Sequence, residues 1–177
     1  MSSVDKTPAN VSKGERSAKL IAKVDGLCEP AHDGQLGNPG GVATYGFFIC
    51  DEDGRPFAKG SGVIGEGKET DHLVAEYEAV LHALRYLLAK KVTTEPVEVQ
   101  NDNQQLVLEM KGEKKVGTGS YQSKYDEAKK LTSHFASIRF KRIDGALNWE
   151  ADCLAWKEYR RYLSEKRSII WVAIRFD

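Results

Sequence analysis

The sequence carries no net charge, no cysteine framework and no long apolar run. Lys and Arg total 26, and so do Asp and Glu. No global field therefore draws the chain to nucleic acid or to a membrane surface, and any such attraction must be local. Cysteine occurs only as Cys28, Cys50 and Cys153, with no Cys-x-x-Cys spacing. An odd, scattered set reads as packed, reduced thiols rather than a disulfide scaffold. The histidines, His32, His72, His82 and His134, are equally scattered, which argues against a zinc site. No apolar stretch approaches a membrane span, and Met1–Ala18 lacks the apolar core of a secretory signal. That polar opening is expected to be a disordered tail. The expectation is a cytoplasmic monomer with no membrane contact.

What is present suffices for one domain. With 177 residues, 41% of them hydrophobic, the chain can bury one real core. The expected domain spans 19–167, with 1–18 as tail and 168–177 as a C-terminal appendage. From Lys111 to Arg142, nine Lys/Arg face three acids, a local basic excess. Lys19–Val24 reads as a first strand stopping at Asp25-Gly26, with a polar loop running on through Asn38-Pro39-Gly40-Gly41. Val42–Cys50 and Phe57–Ile64 read as further strands around a turn at Asp51–Gly54. Val74–Lys90 repeats its apolar residues at three and four, a helix with one buried face. A short strand Val97–Asn101, helices Gln104–Lys111 and Tyr121–Phe135, a strand Ile138–Ile143 and a helix Asn148–Leu163 complete the order. This predicts an α/β fold. Its five-stranded mixed sheet has an antiparallel meander of the first three strands, parallel fourth and fifth strands, and helices on both faces. Ile169–Phe176 alternates like a strand and is expected to add an edge strand or staple the core.

Val97–Asn103 organises the chain. Its β-branched residues alternate, and Asp102 follows at the C-terminal lip, where open α/β sheets build ligand sites. Asn103 is placed to cap the next helix. Glu76 shares an i, i+4 row with Val80, Leu84 and Leu88, and Asp152 an apolar stripe with Ala155, Trp156, Tyr159 and Leu163 at +3, +4, +7 and +11. A carboxylate on a buried stripe is costly unless paired or metal-bound; both are expected in first helical turns, where the helix dipole offsets about 0.3–1 kcal/mol. Asp25 ends the first strand. Singly, each reads as a rim acid, a turn or a cap. Together, with no Lys or His partner evident, Asp25, Glu76, Asp102 and Asp152 are expected to share a divalent cation, Mg²⁺ or Mn²⁺ rather than zinc.

Four motifs in register then resemble type 1 ribonuclease H, in the compact form without a basic protrusion. They are Asp25-Gly26 with Asn38-Pro39-Gly40-Gly41 and Tyr45-Gly46, Ala75-Glu76-Tyr77-Glu78-Ala79, Asn101-Asp102-Asn103-Gln104-Gln105-Leu106-Val107, and Asn148-Trp149-Glu150-Ala151-Asp152-Cys153-Leu154-Ala155. The resemblance spans residues 19–160 and implies a ribonuclease H-like fold. It also implies hydrolysis of the RNA strand of RNA–DNA hybrids with two Mg²⁺ ions, leaving 5′-phosphate and 3′-hydroxyl ends. Asp25 would bridge both ions, with Glu76, Asp102 and Asp152 completing the shells. Gly26, Leu27 and Glu76 inherit recognition of the 2′-hydroxyl. Asn38, Asn103 and Gln104 resemble minor-groove positions, and His72 and Asn148 join them as expected contacts. Lys111–Lys115, chiefly Lys114 and Lys115, is the candidate phosphate-holding loop; a solvated loop is the plainer alternative.

Two departures stand out. Asp71-His72-Leu73 replaces the family's Thr-Asn-Asn, unless Thr70 substitutes by a one-residue shift. Arg142 stands where the family often has a His that helps product leave. An Arg cannot shuttle a proton at neutral pH but can hold a phosphate, so slower turnover than in a His-bearing relative is expected. The competing readings are another nuclease of the superfamily (an integrase, resolvase or 3′–5′ exonuclease), a non-catalytic hybrid-binding domain, and an α/β domain with a metal-free acidic cleft.

Overall fold

The computed structural model describes residues 19–30, 41–67 and 70–174. Asn38, the tail before residue 19 and residues 175–177 lie outside them. The elements run β1 (Leu20–Pro30), β2 (Gly41–Asp51), β3 (Pro56–Glu66), α1 (His72–Ala89), β4 (Val97–Asn101), α2 (Gln104–Lys111), α3 (Gln122–Thr132), β5 (Ile138–Arg142), a 3₁₀ turn (Gly145–Leu147) and α4 (Trp149–Ile174). The sheet order is β3-β2-β1-β4-β5. β1, β2 and β3 pair antiparallel, and β4 runs parallel to both β1 and β5. This is the mixed sheet the sequence predicts.

Strand alternation sorts β1 between two cores. Leu20, Ala22 and Val24 join Phe47 and Ile49 of β2 under α1, whose Tyr77, Val80, Leu81, Leu84 and Leu87 are fully buried. Leu27 and Val42 instead meet Ala155 and Tyr159 of α4. Glycines make both approaches close. A Cβ on Gly26 would lie 2.1 Å from the Glu76 backbone nitrogen, and one on Gly46 would lie 2.2 Å from the Ala151 carbonyl oxygen. The Gly of Asp25-Gly26 and the Gly of Tyr45-Gly46 thus seat α1 and α4 on opposite faces. Behind α1, buried Glu109 accepts hydrogen bonds from Tyr77 Oη at 2.7 Å and Tyr121 Oη at 3.1 Å, tying α1 to α2.

Three expectations need correction. β1 does not stop at Val24: Asp25 pairs with Gly46 and Gly26 with Tyr45, so the strand continues to Pro30 and Asp-Gly is not a turn. Only the parallel partner ends there, at Lys23 opposite Gln100. Second, residues 169–174 continue α4 instead of forming an edge strand. No Gly or Pro follows Gly145, so nothing in the backbone chemistry stops the helix. Third, α3 closes at Thr132, short of Phe135; Thr132 and Ser133 hydroxyls bond back to the Lys129 and Lys130 carbonyls at its end.

Candidate active site

The carboxylates assemble where β1 outruns β4. Beyond that point the Val24 carbonyl is taken by two side-chain amides, Asn101 Nδ2 and Asn148 Nδ2, each at 2.9 Å. Buried backbone acceptors must find such partners, and these two do more than fill the gap. Asn148 Nδ2 also lies 3.3 Å from Asp25 Oδ1, and Asn101 Nδ2 2.8 Å from Glu76 Oε2. Glu76 Oε2 further accepts from the Gly26 N–H at 3.1 Å. Two acidic side chains are thereby aimed by backbone and amide groups into one cleft.

Asp25, Glu76 and Asp102 offer ligand oxygens that all lie within 4.8 Å of one another. Asp152 is not within that tight trio but lines the same cleft of about 310 Å³, together with Gly26, Leu27, His72 and Asn103. Asp25 is buried and Glu76 almost completely so. Among the described residues no Lys or Arg forms an ion pair with any of the four. His72 does reach the site: its Nε2 lies 3.3 Å from Glu76 Oε1. The expectation of no basic partner is therefore wrong in this one respect. The signal was present, because His72 precedes Glu76 by four residues on one helix.

Electrostatics follow from the crowding. Burial, then the charges of Glu76, Asp102 and Asp152, push Asp25 from 3.8 to about 8, with His72 opposing. Asp152 is raised by burial and by Asp102, against a hydrogen bond from the Trp156 indole N–H. His72 is raised, chiefly by its hydrogen bond to Glu76. Without a cation the crowding of like charges is relieved by the proton that Asp25 retains and by His72, and an all-oxygen donor set suits a hard divalent ion.

The remaining sequence-derived candidates divide. Asn103 caps α2, its side chain accepting from the Leu106 N–H at 3.2 Å, and still lines the cleft. Gln104 is exposed at the start of α2. Glu76 is not in a first helical turn: α1 begins at His72 because Asp71 caps it, accepting from the Val74 N–H at 2.7 Å. The Gly26 N–H and Asn101, rather than the dipole, offset its burial. Thr70 turns its hydroxyl to the backbone, 2.6 Å from the Gly67 and 2.8 Å from the Gly41 carbonyl. Lys114 and Lys115 are exposed in the loop after α2, away from the cleft lining, while Lys111 is taken by Glu113 at 2.6 Å. Ser120 Oγ, 2.5 Å from Asp71 Oδ2, moors that loop to the start of α1. Arg142 ends β5, exposed, its Nε 3.5 Å from the Asp102 carbonyl. Asn101 carries no local signal of its role, since only the fold shows that it completes a fully buried strand.

A five-stranded mixed sheet in this order, with a carboxylate cleft at the β1–β4 junction, defines a ribonuclease H-like nuclease domain. A sequence profile described as reverse transcriptase-like matches residues 32–158. LC11-RNase H1, isolated from compost by a metagenomic approach, is 30% identical, over 82% of this chain and 99% of that one, with a TM-score of 0.70; that protein has also been solved in complex with an RNA/DNA hybrid. The N-terminal RNase H domain of a Mycobacterium tuberculosis protein is 28% identical over 78% of this chain and 97% of that one, at a TM-score of 0.65. RNase H1 of Halobacterium salinarum, at 24% identity and a TM-score of 0.68 over 81% of this chain and 98% of that one, shares the fold. The chain belongs to the type 1 ribonuclease H family. Among the described residues, no helix is long and apolar enough to cross a membrane.

Proposed function

We propose that this chain is a metal-dependent endonuclease that hydrolyses the RNA strand of RNA–DNA hybrids, leaving 5′-phosphate and 3′-hydroxyl ends. The observation that carries the reading is the trio Asp25, Glu76 and Asp102, ligand oxygens within 4.8 Å and no Lys or Arg ion pair among the described residues. With Asp152 beside them, these groups would hold two Mg²⁺ ions, or Mn²⁺ in their place. When bound, the ions supply an activated water and neutralise the leaving 3′-oxygen. Because Asn101, Asn148 and the Gly26 N–H already fix Glu76 and Asp25, the cleft needs little rearrangement before reaction, which favours in-line attack. Gly26, Leu27 and Glu76 stand where a 2′-hydroxyl would be read, the group that separates RNA from DNA. Asn103 and Gln104 extend that wall along the minor groove. His72 positions Glu76, while Arg142, Lys114 and Lys115 hold phosphates. All four carboxylates come from one chain, which supports a monomer. The free cysteines support a reducing, cytoplasmic setting.

End-labelled RNA–DNA, RNA–RNA and DNA–DNA duplexes and single strands, incubated with Mg²⁺, Mn²⁺ or EDTA, test this beside Asp102→Asn. Internal cuts confined to the RNA of the hybrid, lost in EDTA and in the variant, are expected. Metal-dependent cutting of DNA duplexes would move the chain to another nuclease class. Hybrid binding without any cutting would make it a binding domain.

A further inference from the structure

The outer face of α4 carries features that the acidic cleft does not use. Trp149, Cys153 and Lys157 follow one another at four-residue spacing, with Trp156 and Arg160 on the adjoining row, so all five share one stripe of the helix. Trp149 is 59% exposed. The Arg160 guanidinium lies over the Trp156 ring, 5.9 Å from its centre. A depression of about 410 Å³ is walled by Trp156, Lys157 and Arg160, and another of about 250 Å³ by Trp149 and Lys59. Cys153 and Lys157 line both, so the two form one trough. Its near end is walled by Asp152, which also lines the acidic cleft.

The charge of this trough is one-sided. Lys59, Lys157 and Arg160 form no ion pair among the described residues. Of the two acids beside them, Glu150 is already held by Lys23 at 2.8 Å, and Asp152 belongs to the acidic cleft at the near end. Unpaired cations interleaved with indole rings fit a polyanion that also offers flat faces. A duplex keeps its base faces stacked inside, whereas a single strand exposes them to aromatic side chains while its phosphates meet Lys and Arg. From Trp149 to Arg160 the helix rises about 16 Å, room for a few nucleotides.

We propose that this face of α4 binds a single-stranded nucleic-acid extension continuing from the strand held at the acidic cleft, making hybrids with an unpaired end the preferred substrates. Trp149 and the Trp156–Arg160 pair stack bases, and Lys59, Lys157 and Arg160 neutralise phosphates. The proposal rests on the hybrid-cleaving reading above.

The test measures fluorescence anisotropy of the Asp102→Asn chain on a labelled blunt RNA–DNA hybrid and on the same hybrid extended at either end by single-stranded RNA or DNA. An extension at one end is expected to tighten binding about tenfold, the effect of a stacked base with its phosphate contacts. Lys157→Glu with Arg160→Glu, and separately Trp149→Ala, should each remove most of that gain. In the otherwise wild-type chain both should leave cleavage of the blunt hybrid unchanged and the melting temperature intact. Equal affinity for blunt and extended hybrids, or a gain that survives either variant, overturns the proposal and leaves the trough to a protein or to the chain's own termini. Failure of the nuclease reading looks different: no blunt hybrid is cut, whatever the extension does to binding.

Discussion

Sites built on buried carboxylates lie at both ends of β4 and meet opposite fates. Near its start, Glu98 is 1% exposed, yet Lys19 Nζ lies at 2.8 Å, Gln100 Nε2 at 2.7 Å and Arg139 Nε at 2.6 Å. Burial alone would raise Glu98, but these donors outweigh it and hold the carboxyl at about 2. Past its other end, Asp102 joins Asp25 and Glu76, where carboxylates outnumber donors and Asp25 rises to about 8. Burial is common to both sites, so burial does not make an acid chemical. The supply of positive partners does. Where the protein provides them the acid fastens strands together; where it withholds them the site waits for a cation.

The sharpest way to break this comparison is Asp102→Asn. It removes one charge from the unpaired cluster and should lower hybrid cleavage by about 10²–10³-fold or more, while the metal-free melting temperature holds or rises. Residual cleavage within tenfold of wild type, measured as initial rates, would remove Asp102 from the site.

The two ends of β4 should also answer pH in opposite directions. Asp25 has a folded value of about 8, above its ordinary 3.8. Its unfolded form therefore sheds a proton first, and metal-free stability should fall as pH rises from about 4 to about 8. Mg²⁺ or Mn²⁺ should reverse that fall, and Asp25→Asn should abolish it. Glu98 has a folded value of about 2, below its ordinary 4.5. Its stabilisation should be present above pH 4.5 and lost as pH falls toward 2. Thermal melts across this range in EDTA, with and without divalent metal, read both limbs.

Glu98→Ala should cost about 1–3 kcal/mol in urea unfolding, less than a wholly buried pair because Arg139 is exposed. Cleavage per folded molecule should not change. His72→Ala should weaken metal affinity about tenfold, as removal of a group that orients a ligand does, read as the Mn²⁺ concentration that raises the melting temperature. An unchanged affinity would leave His72 as a bystander on Glu76.

Much of the candidate site was legible beforehand. Glu76 and Asp152 betrayed themselves as acids on apolar helical stripes, and Asp102 as the end of a β-branched strand. Helix and strand periods are local, so these signals survive in one dimension. The role of Asn101 was not legible, and that of His72 showed only in its four-residue spacing from Glu76. An Asn in a strand looks like a turn residue until its amide is seen bridging Val24 and Glu76. Asp25 was placed at the end of the first strand, with an Asp-Gly turn as the plainer alternative; the strand in fact runs on, and the glycine is there because α1 presses on β1.

The sequence by itself determined the meander, the α/β crossovers, the four carboxylates and the family, because alternation, helical periodicity and motif order depend only on neighbours along the chain. Tertiary structure alone decided the rest. It set three carboxylates in a tight trio with Asp152 beside them, turned Thr70 to backbone carbonyls, and carried α4 to Ile174, into the stretch that alternates like a strand. It also decided which buried acid met a cation, since Lys19 and Arg139 reach Glu98 from β-strand neighbours distant in sequence. Those outcomes turn on which residues become adjacent when the sheet closes and the helices dock, and adjacency across the fold is a property no local pattern encodes.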